Sequence, residues 1–180
     1  MAEMQEIPLG KAVGLICPRI TVLVTTKNEK GEPNAAPYSW VAPVSFSPPM
    51  LYLGIQRRET LTIKNMRETK EFTVNIVTKD WAGKAIACEA KIEDKVEKSG
   101  ISLRESRKVK APRAAEARIV LECKLHEIIE TEKADHFLVI GEIVHAEKDA
   151  DLKDSDTVLH YGGPKFASPG ESFELERRKK

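Results

Sequence analysis

The residues best suited to holding a ligand lie between Asn34 and Thr60. Asn34-Ala35-Ala36-Pro37-Tyr38-Ser39-Trp40 sets an amide, two hydroxyls and an indole among small side chains. Small side chains let a flat ligand come close to the backbone, whose N–H and C=O groups can then read polar ring edges. Gln56-Arg57-Arg58-Glu59-Thr60 follows at the start of a predicted helix, where two cations, a hydroxyl and unpaired amides coincide. Such a place suits an anion, a phosphate above all. A plainer reading fits the same residues: a tight barrel strand, then a solvated loop.

Other chemistries find little support. There is no G-x-G-x-x-G, no Walker loop and no G-x-S-x-G elbow. His126, His136, His145 and His160 lack the paired spacing of a metal site and read as strand-surface and turn histidines. Glu127 and Glu130 sit in charged stretches and read as solvated rather than as an acid/base pair. Cys17, Cys88 and Cys123 are odd in number and far apart, so they read as ordinary core or interface cysteines. No catalytic side chain and no metal ligand is predicted.

Charge excludes more. Lys plus Arg is 29 and Asp plus Glu is 28, a formal net charge of +1. A protein that depends on nucleic acid would need a strongly basic surface, so nucleic acid is not an expected partner. From Asn34 through Gln56 there is no Asp, Glu, Lys or Arg. Pro37, Pro43, Pro48 and Pro49 rule out a spanning helix there, so no membrane association is expected. The acidic start Met1-Ala2-Glu3-Met4-Gln5-Glu6 lacks the apolar stretch of a secretory signal, and a cytoplasmic location is expected. With no repeat or composition shift, residues 1–180 read as one domain, ending in a solvated basic tail from Glu174 to Lys180.

What must position the candidate residues is a series of short strands. Arg19 to Thr26 is β-branched and predicts a strand, the Lys27–Glu32 stretch a polar turn with Gly31, and Asn34 to Ser47 a second extended run. Pro48-Pro49 ends that run, and Met50–Ile55 follows as a third strand. Leu61, Ile63 and Met66 predict a helix from Thr60 to about Thr69, capped by Thr60 or Glu59. Glu71–Thr78 is a fourth strand. Asp80 is expected to cap a helix to about Ala90, and a short helix covers Glu93 to Ser99 before Gly100. Ile101 to Ala117 looks irregular. Ile119, Leu121, Cys123 and Leu125 alternate with Val120, Glu122, Lys124 and His126, and Phe137–Val144 is the last long strand. Strands joined mainly by hairpins predict a mainly β chain, an antiparallel barrel with a few helices outside.

A neutral surface for a flat ring followed by a phosphate-compatible helix start fits a flavin mononucleotide. The same residues carry a family resemblance. PRITVLVTT (18–26), the turn with Gly31, NAAPYSW (34–40), VSFSPPMLYLGI (44–55) and TLTIKNMRETKEFTVNIV (60–77) resemble the flavin reductase-like, FMN-binding split-barrel family. That family includes flavoredoxin and archaeal ferric reductase. EDKVEKSGISL (93–103), KAPRAAEA (110–117) and HYGGPKFASPGESFEL (160–175) are similar to its later segments.

The resemblance implies an antiparallel split β-barrel of Greek-key type, usually a homodimer, with FMN near the subunit interface. It places Asn34, Ala36, Tyr38, Ser39 and Trp40 in the flavin-lining strand. Leu53, Gln56, Arg57 and Thr60 fall where the family holds ribityl and phosphate. Lys95 corresponds to a lysine that reaches the phosphate. His160 and Tyr161 approach the ring from the C-terminal segment, while Phe166 stands where the family often has tyrosine. Asn65 and Asn75 read as structural polar groups, and Trp81 as core. The implied function is an FMN-dependent reductase that takes electrons from NADH or NADPH and passes them to a flavin, a ferric complex or a protein. A non-catalytic FMN-binding electron carrier and a flavin-free interaction barrel remain as alternatives.

Overall fold

Period-two alternation decides the architecture. On the strand at Val22–Lys27, Val22 and Val24 face one apolar cluster and Leu23 faces another. The same split runs along Glu71–Ile76, where Phe72, Val74 and Ile76 point one way. It continues along Ile119–Ile129, where Cys123 and its alternate neighbours share that face and Val120 points away. Along these three strands the sheet therefore buries both of its faces.

The structure, a computed structural model, describes residues 3–90, 92 and 94–175. Glu93, part of the EDKVEKSGISL stretch and the expected start of the second short helix, lies outside the described residues. So do the ends of the expected acidic start and basic tail, 1–2 and 176–180. In chain order the elements are α1 (Leu9–Ala12), β1 (Arg19–Ile20), β2 (Val22–Lys27), β3 (Pro33–Tyr38), β4 (Val41–Phe46) and β5 (Pro49–Gln56). Then come α2 (Leu61–Thr69), β6 (Glu71–Ile76), α3 (Ala82–Ala87), α4 (Lys95–Ser99), β7 (Leu103–Arg104) and β8 (Arg113–Ala114). The long hairpin β9 (Ile119–Ile129) and β10 (His136–Lys148) follows, with β11 (Leu159–Gly162) and β12 (Lys165–Ala167) last.

Seven strands form the main sheet in the order β3-β2-β6-β9-β10-β5-β4, antiparallel at every step. In a flat sheet β2 and β5 would lie about 19 Å apart. Here Val22 and Val24 share one cluster with Leu51, Leu53 and Ile55, so the sheet is rolled. The edge strands β3 and β4 do not pair with each other, and the barrel is split. α2 carries the chain from β5 across to β6 and sends Ile63 and Met66 into the barrel core. Thr60 caps α2, its Oγ1 accepting from the Ile63 amide at 3.2 Å. Lys70 ends it in the left-handed region, φ 59°.

Two expectations need correction. The run from Asn34 to Ser47 is two strands, not one. β3 pairs with β2, then the chain breaks at Ser39-Trp40 and β4 pairs with β5. Asp80 does not cap α3: its carboxylate accepts from the Thr78 hydroxyl, and Trp81 stands at the helix start with no side-chain cap. The pairing of β11 with both β1 and β12 was not foreseen.

The outer face of β2, β6 and β9 is covered by α3, α4 and the 101–117 stretch. That stretch is irregular because side chains replace ladder partners. Asn75 donates to the Leu23 carbonyl at 2.9 Å and accepts from the Ala114 amide at 3.0 Å. Thr73 donates to the Pro112 carbonyl at 2.9 Å. Glu122, fully buried, accepts from the amides of Arg107 and Lys108 at 2.8 and 2.6 Å. A buried carboxylate persists because both oxygens are met by donors. Asn75 is thus structural, and Trp81, 2% exposed, belongs to this second core.

Gly141 sits at a register shift of β10 opposite Leu125. A Cβ there would lie 2.9 Å from Cε1 of the Phe72 ring, and closer still to Cζ. Phe72 is fully buried and has nowhere to go. Gly141→Ala should therefore cost about 1–3 kcal/mol through overpacking. For a chain of this size that lowers Tm by roughly 2–12 °C. Gly83→Ala, where no atom lies within 4 Å of the added Cβ, is the control and should not lower it. Thermal unfolding of the two variants followed by circular dichroism decides; equal midpoints would mean that the Phe72 ring yields.

Candidate functional site

Where β3 meets α2, the barrel is joined by side chains rather than by a ladder. Asn34, 2% exposed, donates through Nδ2 to Thr26 Oγ1 at 3.3 Å and to Thr62 Oγ1 at 3.1 Å. Asn65 donates to the same Thr26 hydroxyl at 3.1 Å, which makes it a structural group. Thr62 also stands close enough to the Tyr38 hydroxyl to influence its titration. Burial raises the Tyr38 phenol above its ordinary value, and Thr62 and the Arg58 charge only partly oppose this. Tyr38 is therefore neutral near pH 7. One atom in this seam is left over: Asn34 Oδ1 is buried and has no donor among the described residues. A buried acceptor without a partner is costly, about 1–3 kcal/mol, unless a ligand supplies the donor.

The cations lie at the start of α2 and beyond the edge of β3. Arg58 is close enough to Tyr38 to influence its titration. Arg57 is engaged by the turn between β9 and β10. Its amide donates to the Asp135 carbonyl at 2.7 Å, its guanidinium to the Thr131 carbonyl at 3.2 Å, and it pairs with Glu130 at 3.6 Å. Gln56, exposed, ends β5 opposite His136. Lys95 opens α4, which packs against β3. Burial lowers the Lys95 ammonium below its ordinary value, and the nearby Cys88 partly opposes this. α2 and α4 thus reach the same edge strand from its two faces.

A second group forms on the outer face of β5 and β10. Trp40 lies across Gly54, where an added Cβ would stand 3.0 Å from Trp40 Cβ and Cε3. The Trp40 carbonyl accepts from the Gly54 amide at 2.7 Å. The indole stacks on the His136 ring, centroids 4.3 Å apart and planes at 13°. His136 Nδ1 bonds Asp135 Oδ1 at 2.7 Å, which holds the Asp135 carboxyl below the ordinary range. Ser39 Oγ bonds His160 Nδ1 at 2.9 Å, tying the site strand to β11. Phe166 stacks on His160 at 4.7 Å, and Tyr161 is partly exposed under Lys165. Leu53 is fully buried, its side chain in the barrel core. Ala36, half-buried, lies between Asn34 and Tyr38 on β3.

The structure therefore brings Asn34 and Tyr38 together at the start of α2, two residues past the Thr60 cap, with Arg58 near. It sets Trp40 and Ser39 apart from them, on separate partners. Sequence reasoning missed Thr62, which accepts from Asn34 and stands beside the Tyr38 hydroxyl, and the Asp135–His136 pair. A carboxylate directly before a histidine at a turn-to-strand boundary was the available signal for the second.

The pattern of the flavin reductase like domain matches residues 14–168. An uncharacterized protein of Archaeoglobus fulgidus is 36% identical over 161 residues, 87% of each chain. The crystal structure of a 2-nitrobenzoate 2-nitroreductase from Pseudomonas fluorescens superposes with a TM-score of 0.84 at 28% identity, over 96% of each chain. Flavoredoxin from Methanosarcina acetivorans does so at 0.82 and 25%, over 98% of this chain and 97% of its own. The open antiparallel barrel, the polar seam between β3 and α2 and these likenesses agree: the chain belongs to the flavin reductase-like family.

Proposed function

We propose that this chain binds FMN and works as a reductase that takes electrons from NADH or NADPH and passes them to a flavin, a ferric complex or a protein. The observation that carries the reading is the unpartnered Asn34 Oδ1 in the buried seam. It is an acceptor waiting for an N–H or O–H donor, which a flavin nucleotide offers on its ring and its ribityl chain. FMN, when bound, supplies the hydride and electron chemistry.

The chain's own residues have binding and positioning tasks. Asn34 accepts a donor from the cofactor, and Ala36 leaves room beside it. Tyr38, kept neutral by burial, lies beside Thr62 at the seam. The Thr60-capped start of α2, with Arg57 and Arg58, offers the phosphate cations and amides, and Lys95 adds a third cation from α4. Gln56 lies at the same end of β5, and Leu53 supports that strand from the core. Ser39 and Trp40 border the ring through groups that His160 and His136 fix in place. No side-chain nucleophile is needed, in keeping with a cofactor that does the hard chemistry.

A homodimer in the cytoplasm completes the proposal. The uncharged stretch leaves Val44 52% and Phe46 98% exposed on the edge strand β4, with Leu138 37% exposed on β10. Apolar residues of that size at an edge suit a partner subunit. The likeness to a flavoredoxin favours a second reading, an FMN-binding electron carrier without nicotinamide turnover. Anaerobic addition of NADH or NADPH separates the two: bleaching of bound flavin means a reductase, persistence of its colour a carrier. A purified chain that stays colourless after incubation with FMN would sink both.

Two expected outcomes test the residue roles. Arg57→Ala and Lys95→Ala should each weaken FMN binding about tenfold or more, the scale of one charge-assisted contact. Unchanged affinity, measured by flavin fluorescence titration, would show that neither holds the phosphate. The chain has two tryptophans, and Trp81 is buried in the second core. FMN should quench indole emission in the unmodified chain and in Trp81→Phe, and should quench far less in Trp40→Phe; equal quenching in both variants would remove Trp40 from the site.

A further inference from the structure

A groove of about 680 Å³ lies between the 104–118 stretch and the far end of the β9–β10 hairpin. Its floor is small and apolar: Ala115, Ala117, Val120 and Ala146. Its rim is cationic: Arg104, Arg107, Arg118 and Lys148. Arg113 lies beneath, paired with Arg104 across the β7–β8 ladder and only 7% exposed.

The carboxylates of the groove do not match these cations. Glu147 is shared by Arg107 and Arg113, and His145 stands 3.4 Å away. Asp149 is taken by Arg118 at 2.9 Å, and Arg118 also pairs with Asp156 at 3.2 Å. Glu116 is taken by Lys84 at 2.9 Å. Among the described residues Arg104 and Lys148 pair with no carboxylate. The buried Arg113 Nε has no acceptor either. In a chain whose net charge is only +1, this excess is local.

We infer that the groove is a binding site for a small phosphorylated organic anion, with Arg104 and Lys148 on the phosphate oxygens and the alanine-lined floor under the organic part. The volume suits a ligand of nucleotide size. The near-neutral chain as a whole disfavours a nucleic-acid strand, which would need a longer basic track. The site shares no residue with the flavin proposal and stands or falls without it.

ADP is the probe, titrated calorimetrically into the full chain at low ionic strength, with and without saturating FMN. One ADP per chain is expected, with the same affinity in both arms. Arg104→Gln with Lys148→Gln should weaken it at least about tenfold, each contact being worth less than a buried one because both side chains are exposed. The single variant Lys148→Gln should weaken it about threefold, and it serves if the double variant shows a lowered thermal midpoint. No ADP binding to the unmodified chain would overturn the site. So would equal affinity in the variants, or displacement of ADP by FMN, which would place it at the β3–α2 seam. An acidic peptide that binds where ADP does not would replace the small ligand by a protein partner. A chain that never takes up FMN leaves the ADP result intact.

Discussion

The barrel cannot close on its own backbone. Seven antiparallel strands roll far enough for β2 and β5 to share a core, yet β3 and β4 remain edges. An open edge leaves unpaired backbone donors and acceptors. α2 answers the apolar part of the problem with Ile63 and Met66. The polar part is met by Asn34, Thr62, Asn65 and Thr26: Asn34 and Thr26 face each other across the β2–β3 ladder, and their side chains carry the hydrogen bonding on to α2. The polar part of the candidate site follows from that extension. A seam of side chains can be left incomplete at one atom, as a ladder cannot without breaking, and Asn34 Oδ1 is that atom.

The second dependency is the break at Ser39-Trp40. β3 ends on β2 and β4 begins on β5, so two adjacent residues serve different neighbours. Ser39 turns to His160 of β11, and Trp40 to Gly54 and His136. Gly54 is what makes this possible, because the indole occupies the space a side chain would take. The C-terminal hairpin and the β9–β10 turn are thereby tied to the same two residues from opposite directions.

Local pattern carried far through this fold. The alternation on β9, the Thr60 cap, the Gly31 turn and the β2–β3 hairpin each depend on neighbours in sequence, and each was legible. The break in the run from Asn34 to Ser47 was not, because it is a change of partner and not of propensity; Pro37 and Pro43 fit an edge strand on either side of it. Asp80 looked like a cap, but Thr78 two residues earlier claims its carboxylate. β11 and β12 are short and interrupted by Gly162 and Gly163, both at positive φ, so no run long enough to read as a strand survives. At the site, the residue types of Asn34 and Tyr38 were readable and their common neighbour Thr62 was not. That contact spans β3 and α2, 28 residues apart for Asn34 and Thr62.

Arg57 shows why residue type alone underdetermines a role. Its guanidinium is held by a carbonyl and by an exposed Glu130 at 3.6 Å, while Glu130 also receives Arg67 at 3.0 Å. Exposed pairs of that kind contribute little, about 0–1 kcal/mol. A phosphate at the start of α2 would offer Arg57 a shorter, charge-assisted contact, and Glu130 would keep Arg67 as its partner. The exchange therefore favours the anion without stranding a charge. The Arg57 amide, bonded to the Asp135 carbonyl at 2.7 Å, takes no part in it. So the side chain can leave the turn while the backbone still holds Asp135, and with it His136 against Trp40.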